Sequence, residues 1–192
     1  MIKRLFSGRM LFAPTILIMV GCASQSSQFA VPEKVDFQGQ IYTKVTANQL
    51  DEMQHLLYLP EIGTKNPENW DKGILFFLDK NSKNQTLEHR AVFRQSSFAK
   101  QQDVIANFKI KQNELQSSVI YPPTERFNNV MLEVTRGRNL DCGYGQIQFS
   151  DKRSLNKTEL AKKSKNLTAY NQAIAQLAFE FNQLAWLVEC RK

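Results

Sequence analysis

Catalytic signatures are missing from these 192 residues. There is no GxSxG, no SxxK and no HExxH, so the familiar nucleophile and zinc-protease frameworks find no support. No glycine-rich loop precedes a helical pattern. No CxxC pair occurs, and the two histidines, His55 and His89, sit in unrelated segments, so no metal-ligand spacing is present. No catalytic residue, metal ligand or cofactor is therefore assigned. Cysteine is scarce, at three residues. No apolar run reaches the roughly 20 residues that span a bilayer. Acidic residues are absent before Glu33.

That last absence directs attention to the N-terminus. The chain opens Met1-Ile2-Lys3-Arg4, with Arg9 following, and an apolar segment then runs from Met10 to Val20, interrupted by Pro14 and Thr15. A basic stretch before a short apolar one is the layout of a secretory signal. A buried helix of the mature fold is the competing reading. The abrupt change to "ASQSSQ" after Cys22 weighs against it.

"MVGC", Met19 to Cys22, resembles the lipobox of bacterial lipoproteins. Val20, Gly21 and Cys22 match the pattern, and Met19 stands where that family usually has Leu. The resemblance implies cleavage before Cys22, a thioether from its sulfur to diacylglycerol, and a third acyl chain on the new N-terminus. Each buried methylene is worth about 0.8 kcal/mol, and two acyl chains already anchor stably. In such lipoproteins an Asp after the cysteine tends to hold the protein in the inner membrane. Ala23 in its place implies the outer membrane, facing the periplasm.

Residues 1–21 are thus read as a signal peptide, 22–38 as the lipidated cysteine with a tether, and 39–192 as a periplasmic domain. Losing Lys3, Arg4 and Arg9 lowers the formal charge of +7 by three, to +4. The 192 residues less those 21 leave 171, enough for one domain with a genuine core. Thirteen Phe suit a packed domain. With Cys22 given to lipid, Cys142 and Cys190 remain as an even pair in an oxidising compartment, and a disulfide is expected. Two free buried thiols are the alternative.

The pattern along the chain reads as α+β: one small domain, an antiparallel sheet packed by helices. Thr46 to Pro60 reads as a helix, with Leu50, Met53, Leu56 and Leu57 at helical spacing and Pro60 as its stop. "QIYTKVT" before it is a short strand, "GTKNPENWDKG" a loop and Ile74–Leu78 a buried strand. The stretch 86–118 is ambiguous, and its lack of Gly or Pro favours helices. A hairpin spans 130–149, turning near Gly137 and Asn139, with Gly143 and Gly145 marking a bulge or close backbone approach. Leu167, Tyr170, Ile174, Leu177, Phe181, Leu184 and Val188 form an a/d stripe, predicting a long C-terminal amphipathic helix. It fits a partner coiled coil or the domain's own sheet. Phe179, Trp186 and Leu187 widen the stripe and favour the sheet.

Candidate binding residues are basic. Arg136 and Arg138 are read as exposed arginines in the hairpin turn, placed to grip a carboxylate or phosphate, and Arg126 lies beside Tyr121 and two prolines. The run 152–165 includes Lys162 and Lys163 and suits lipid phosphates, an anionic glycan or an acidic protein. A solvated surface is the plainer reading of all of these. The expected role is a non-enzymatic binding or assembly factor, lipid-anchored in the cell envelope, with an envelope protein or anionic glycan as partner and no nucleic acid. The alternatives are an envelope enzyme using Cys142, and a structural anchor holding peptidoglycan through the 152–165 run.

Overall fold

The computed structural model describes residues 28–155 and 167–191. In chain order these form β1 (Gln28–Ala30), β2 (Lys34–Phe37), β3 (Gln40–Leu50), β4 (Met53–Pro60), β5 (Lys72–Asp79), α1 (Leu87–Ala99), β6 (Ile105–Lys111), β7 (Glu114–Tyr121), β8 (Asn129–Leu140), β9 (Gly143–Ser154), α2 (Asn171–Gln183) and β10 (Glu189–Arg191). A 3-10 turn, Leu167–Tyr170, leads into α2. Eight strands make one antiparallel sheet in the order β2-β3-β4-β5-β9-β8-β7-β6, and β1 pairs with β10 as a separate ribbon.

The α+β expectation is overturned. The described chain is mostly strand, an antiparallel half-barrel with two helices. The curl follows from the aromatic core. Four strand spacings separate β2 from β9, roughly 19 Å on a flat sheet, yet the rings of Phe37 and Phe149 lie 4.9 Å apart. Phe37 also meets Phe181 of α2 at 5.4 Å. The inner face buries Tyr42, Tyr58, Ile74, Phe76, Leu132 and Ile147. α2 lies across β7 and β8 on that face and contributes Ile174, Leu177 and Phe181. α1 covers β6 and β7 on the outer face.

The expected helix at Thr46–Pro60 is instead a hairpin of β3 and β4, turning at Asp51 and Glu52. The misleading signal is Leu56–Leu59. All four residues are buried, because β4 lies inside the sheet and is covered on both faces. Such a strand shows no alternation. Leu50, which completed the helical spacing, is 67% exposed.

Between residues 86 and 118 only the first part is helical. Thr86 caps α1, its hydroxyl accepting from the His89 amide at 3.2 Å. β6 and β7 then form a hairpin through Gln112 and Asn113, both at positive φ. Two left-handed residues suit the twist of a tight hairpin, and Gln is an unusual residue there, so the turn is silent in the sequence.

The 130–149 hairpin is present as β8 and β9, but it turns at Asp141 and Cys142. Gly137 lies within β8, where a Cβ would sit 2.0 Å from the Tyr144 hydroxyl. Gly143 has φ +131°, and its Cβ would meet the Asp79 carbonyl at 2.2 Å. The C-terminal helix is shorter than expected. It stops at Gln183, Leu184 is extended, and Val188 is buried beyond the helix. Within the stretch 22–38 expected as a tether, Gln28–Ala30 and Lys34–Phe37 are paired strands.

Candidate functional site

Arg136 and Arg138 alternate along β8 and so share the inner face of the sheet with α2. Neither lies in the turn, a correction to the expectation above. Arg136 is only 5% exposed. Its Nε donates to Glu114 Oε2 at 2.9 Å and its Nη2 to Glu114 Oε1 at 2.7 Å. Its remaining Nη1 donates to the carbonyls of Phe181 and Leu184 where α2 ends, the first of which also accepts from the Leu184 amide. Arg138 Nε also donates to Glu114 Oε1, at 2.7 Å, and its guanidinium lies 4.6 Å above the Trp186 ring. These arginines fasten the end of α2 to the sheet. Burial opposes ionisation of Glu114. The hydrogen bonds from Arg136, Gln116 and Arg138 outweigh it and hold the carboxyl down at about 2.

The other expected residues are dispersed. Arg126 is exposed in the β7–β8 loop with its guanidinium 5.2 Å from the Phe127 ring. It precedes β8, whereas Arg138 is near that strand's far end, about 30 Å away at a strand's rise per residue. Lys152 sits 3.4 Å above the Trp70 ring, and Arg153 pairs with Asp151 at 3.0 Å. Lys162, Lys163 and Cys22 lie outside the described residues. Cys142 and Cys190 are at disulfide distance, with Cα atoms 5.6 Å apart. That contact joins the β8–β9 turn to β10, and through β10 to β1. His55 packs on Phe77 at 4.9 Å.

A second polar cluster sits on the outer face under α1. Arg94 donates to Gln146 at 2.7 Å and stands 3.7 Å from Glu133. Tyr121 donates to Glu133 at 3.1 Å. Burial pushes the Glu133 carboxyl up, against the pull of Arg94 and Tyr121. Arg90 pairs with Asp79 at 2.7 Å and lies 4.0 Å from the Tyr144 ring centroid. Each arginine here has its own acceptor or carboxylate, so the cluster is largely self-compensated.

The open feature is on the inner face. α2 leaves a groove of about 470 Å³ between itself and the edge strand β6, with β7 beneath it. Its floor is Gln116, 9% exposed. The Gln116 Nε2 donates to Glu114 Oε2 at 3.1 Å, and its Oε1 has no partner among the described residues. Reversing the amide would turn its oxygen towards the carboxylate, so Glu114 fixes the orientation. Lys109 and Lys111 line one wall, at alternate positions of β6 and hence on one side. They stand opposite Gln116 and Glu114 in the register. No ion pair of either lysine exists among the described residues. The other wall is α2, with Phe179, 62% exposed, beside Asn182 and Gln183. Sequence reasoning missed Lys109, Lys111 and Gln116. The alternation of "NFKIK" carried the signal, once the segment is taken as a strand.

Fold and groove together define a small, mostly β, half-barrel domain with a polar cleft beside its second helix. A family model matches residues 29–186, and the chain belongs to that family, an uncharacterized domain family. The match opens within β1 and closes just after α2, so it spans both walls of the groove. A Haemophilus influenzae protein, described as an uncharacterized protein, is 28% identical over 145 residues, covering 72% of this chain and 74% of its own. No solved structure matches.

Proposed function

We propose that this protein is a lipid-anchored binding or accessory factor of the bacterial cell envelope, held on the periplasmic side of the outer membrane. Anchoring rests on Val20, Gly21 and Cys22, and the outer-membrane placement on Ala23. Binding rests on one observation above the others: an open groove lined by amides and hydroxyls, with two lysines on its wall that form no ion pair among the described residues. Only six residue steps separate Cys22 from β1, a reach of about 21 Å at most. The groove would then stay close to the membrane.

In-cell crosslinking from a photoreactive residue at Asn182, followed by purification from the envelope, tests this. A partner captured by the anchored protein, and lost from a Cys22→Ser chain that stays unprocessed, is the expected outcome. Equal capture by both forms would remove the anchor from the reading. No capture of any kind would remove the groove as a protein-binding site.

A further inference from the structure

We propose that the groove between α2 and β6 binds a peptidoglycan fragment, an N-acetylated saccharide whose attached stem peptide carries carboxylates; this rests on the binding reading above and gives it a ligand class. Four features of the groove select that chemistry.

The floor comes first. Gln116 lines it as a buried amide, fixed in orientation by the bond from Nε2 to Glu114, and its Oε1 has no partner among the described residues. Amides in such a lining can accept from a sugar hydroxyl or an acetamido N–H. The walls come second. Asn107, Ser118, Asn182 and Gln183 reach the groove. Amides and hydroxyls both donate and accept, which matches a ring of hydroxyls better than it matches an apolar ligand.

Charge is third. Glu114, the nearest carboxylate, is already held by Arg136 and Arg138. Among the described residues, Lys109 and Lys111 have no ion pair and none of the residues lining the groove is Asp or Glu. An anion is favoured and a cation is not. Phe179 is fourth. Its ring stands out from α2 at the groove, with more than half its surface in water. One exposed aromatic is ordinary by itself. Beside amides and lysines it forms a flat apolar platform of the kind on which the C–H face of a pyranose can lie. The volume falls in the range of small-ligand sites.

The test is calorimetric titration of the full lipidated chain in detergent micelles. The probe is a muropeptide, the N-acetylglucosamine–N-acetylmuramic acid disaccharide with an acidic stem peptide. Chitotetraose, N-acetylated but neutral, is the comparison. Saturable muropeptide binding is expected, with weaker binding of chitotetraose. Phe179→Ala, and separately Lys109→Gln with Lys111→Gln, should each weaken muropeptide binding about tenfold or more. All three side chains are exposed, so the melting temperature should stay unchanged. Equal affinity for chitotetraose overturns the anionic assignment. Binding indifferent to both variants, or absent, overturns the site. If muropeptide fails while Phe179→Ala abolishes a protein crosslink from Asn182, the groove takes a protein, and the saccharide inference falls while the binding reading stands.

Discussion

Glu114 and Glu133 are two buried glutamates with opposite electrostatics. Glu114 is held at about 2 by its arginines, below its ordinary 4.5. A depressed carboxylate contributes stability above its unfolded pKa and loses it as pH falls through the folded one. The melting temperature should therefore drop as pH falls from about 4.5 to about 2. Glu114→Gln should flatten that limb, and an unchanged acid limb in this variant would refute the assignment. Arg136→Ala leaves Glu114 buried with one of its two clamps gone and strips the end of α2 of its donor. Breaking a buried pair costs about 3–5 kcal/mol, readable in urea unfolding. An exposed pair of arginines would be replaceable by Ala at little cost in stability, and the burial of Arg136 reverses that. Glu133 is raised by burial, so its sign is the other one. Its contribution is complete below about 4.5 and is lost as pH climbs through its folded value. Glu133→Gln, whose side-chain oxygen can still accept from Tyr121, should melt no lower than the wild type at neutral pH. A large drop there would show that the Arg94 pairing outweighs the burial.

At the scale of elements, the short ribbon β1–β10 has little of its own to hold it. Three residue pairs join the two strands. The ribbon is tied to the sheet by the Cys142–Cys190 contact, by Val188 buried against Gly145 and by Phe29 packed on the core. Closing a loop of about 49 residues removes roughly 4 kcal/mol of unfolded-chain entropy. Cys142→Ser and Cys190→Ser should each lose about that much, and Phe29 and Cys190 amides should lose hydrogen-exchange protection before the β8–β9 amides do. Uniform loss across the sheet would mean that the ribbon and sheet unfold as one unit. The elements also show what could be read in advance. β5, the β8–β9 hairpin and the buried stripe of α2 were legible because each exposes one face and buries the other, or is bounded by turn residues. β4 was not, since a strand covered on both faces loses its period. β6–β7 was not, since its turn is made by Gln112 and Asn113 without glycine.

For the whole molecule, the anchor reading makes a prediction independent of the groove. Cells fed labelled palmitate should incorporate it into the wild-type chain and not into Cys22→Ser. Label in both would place the acyl group elsewhere. With an acyl chain on Cys22, the six residue steps to β1 would make the β1–β10 ribbon the part of the domain nearest the bilayer. The arginines that looked like a partner's landing site are spent inside the molecule, on Glu114 and on the end of α2. At the groove, the cations without an ion pair among the described residues are Lys109 and Lys111 of the edge strand β6.

Taken alone, the sequence determined the properties that are local along the chain. These are the N-terminal layout ending at Cys22, the even cysteine pair, and the strands whose burial alternates. Tertiary structure decided what depends on partners distant in the chain. Sheet curl brings Phe37 to Phe149 across three intervening strands. Register sets Arg136 and Glu114 on one face, 22 residues apart. The end of α2 at Gln183 is set by where its last carbonyls find the Arg136 guanidinium. The groove exists only because α2 is narrower than the sheet it covers. A residue's type states what bonds it can make, but whether those bonds are filled depends on which strands the fold brings alongside.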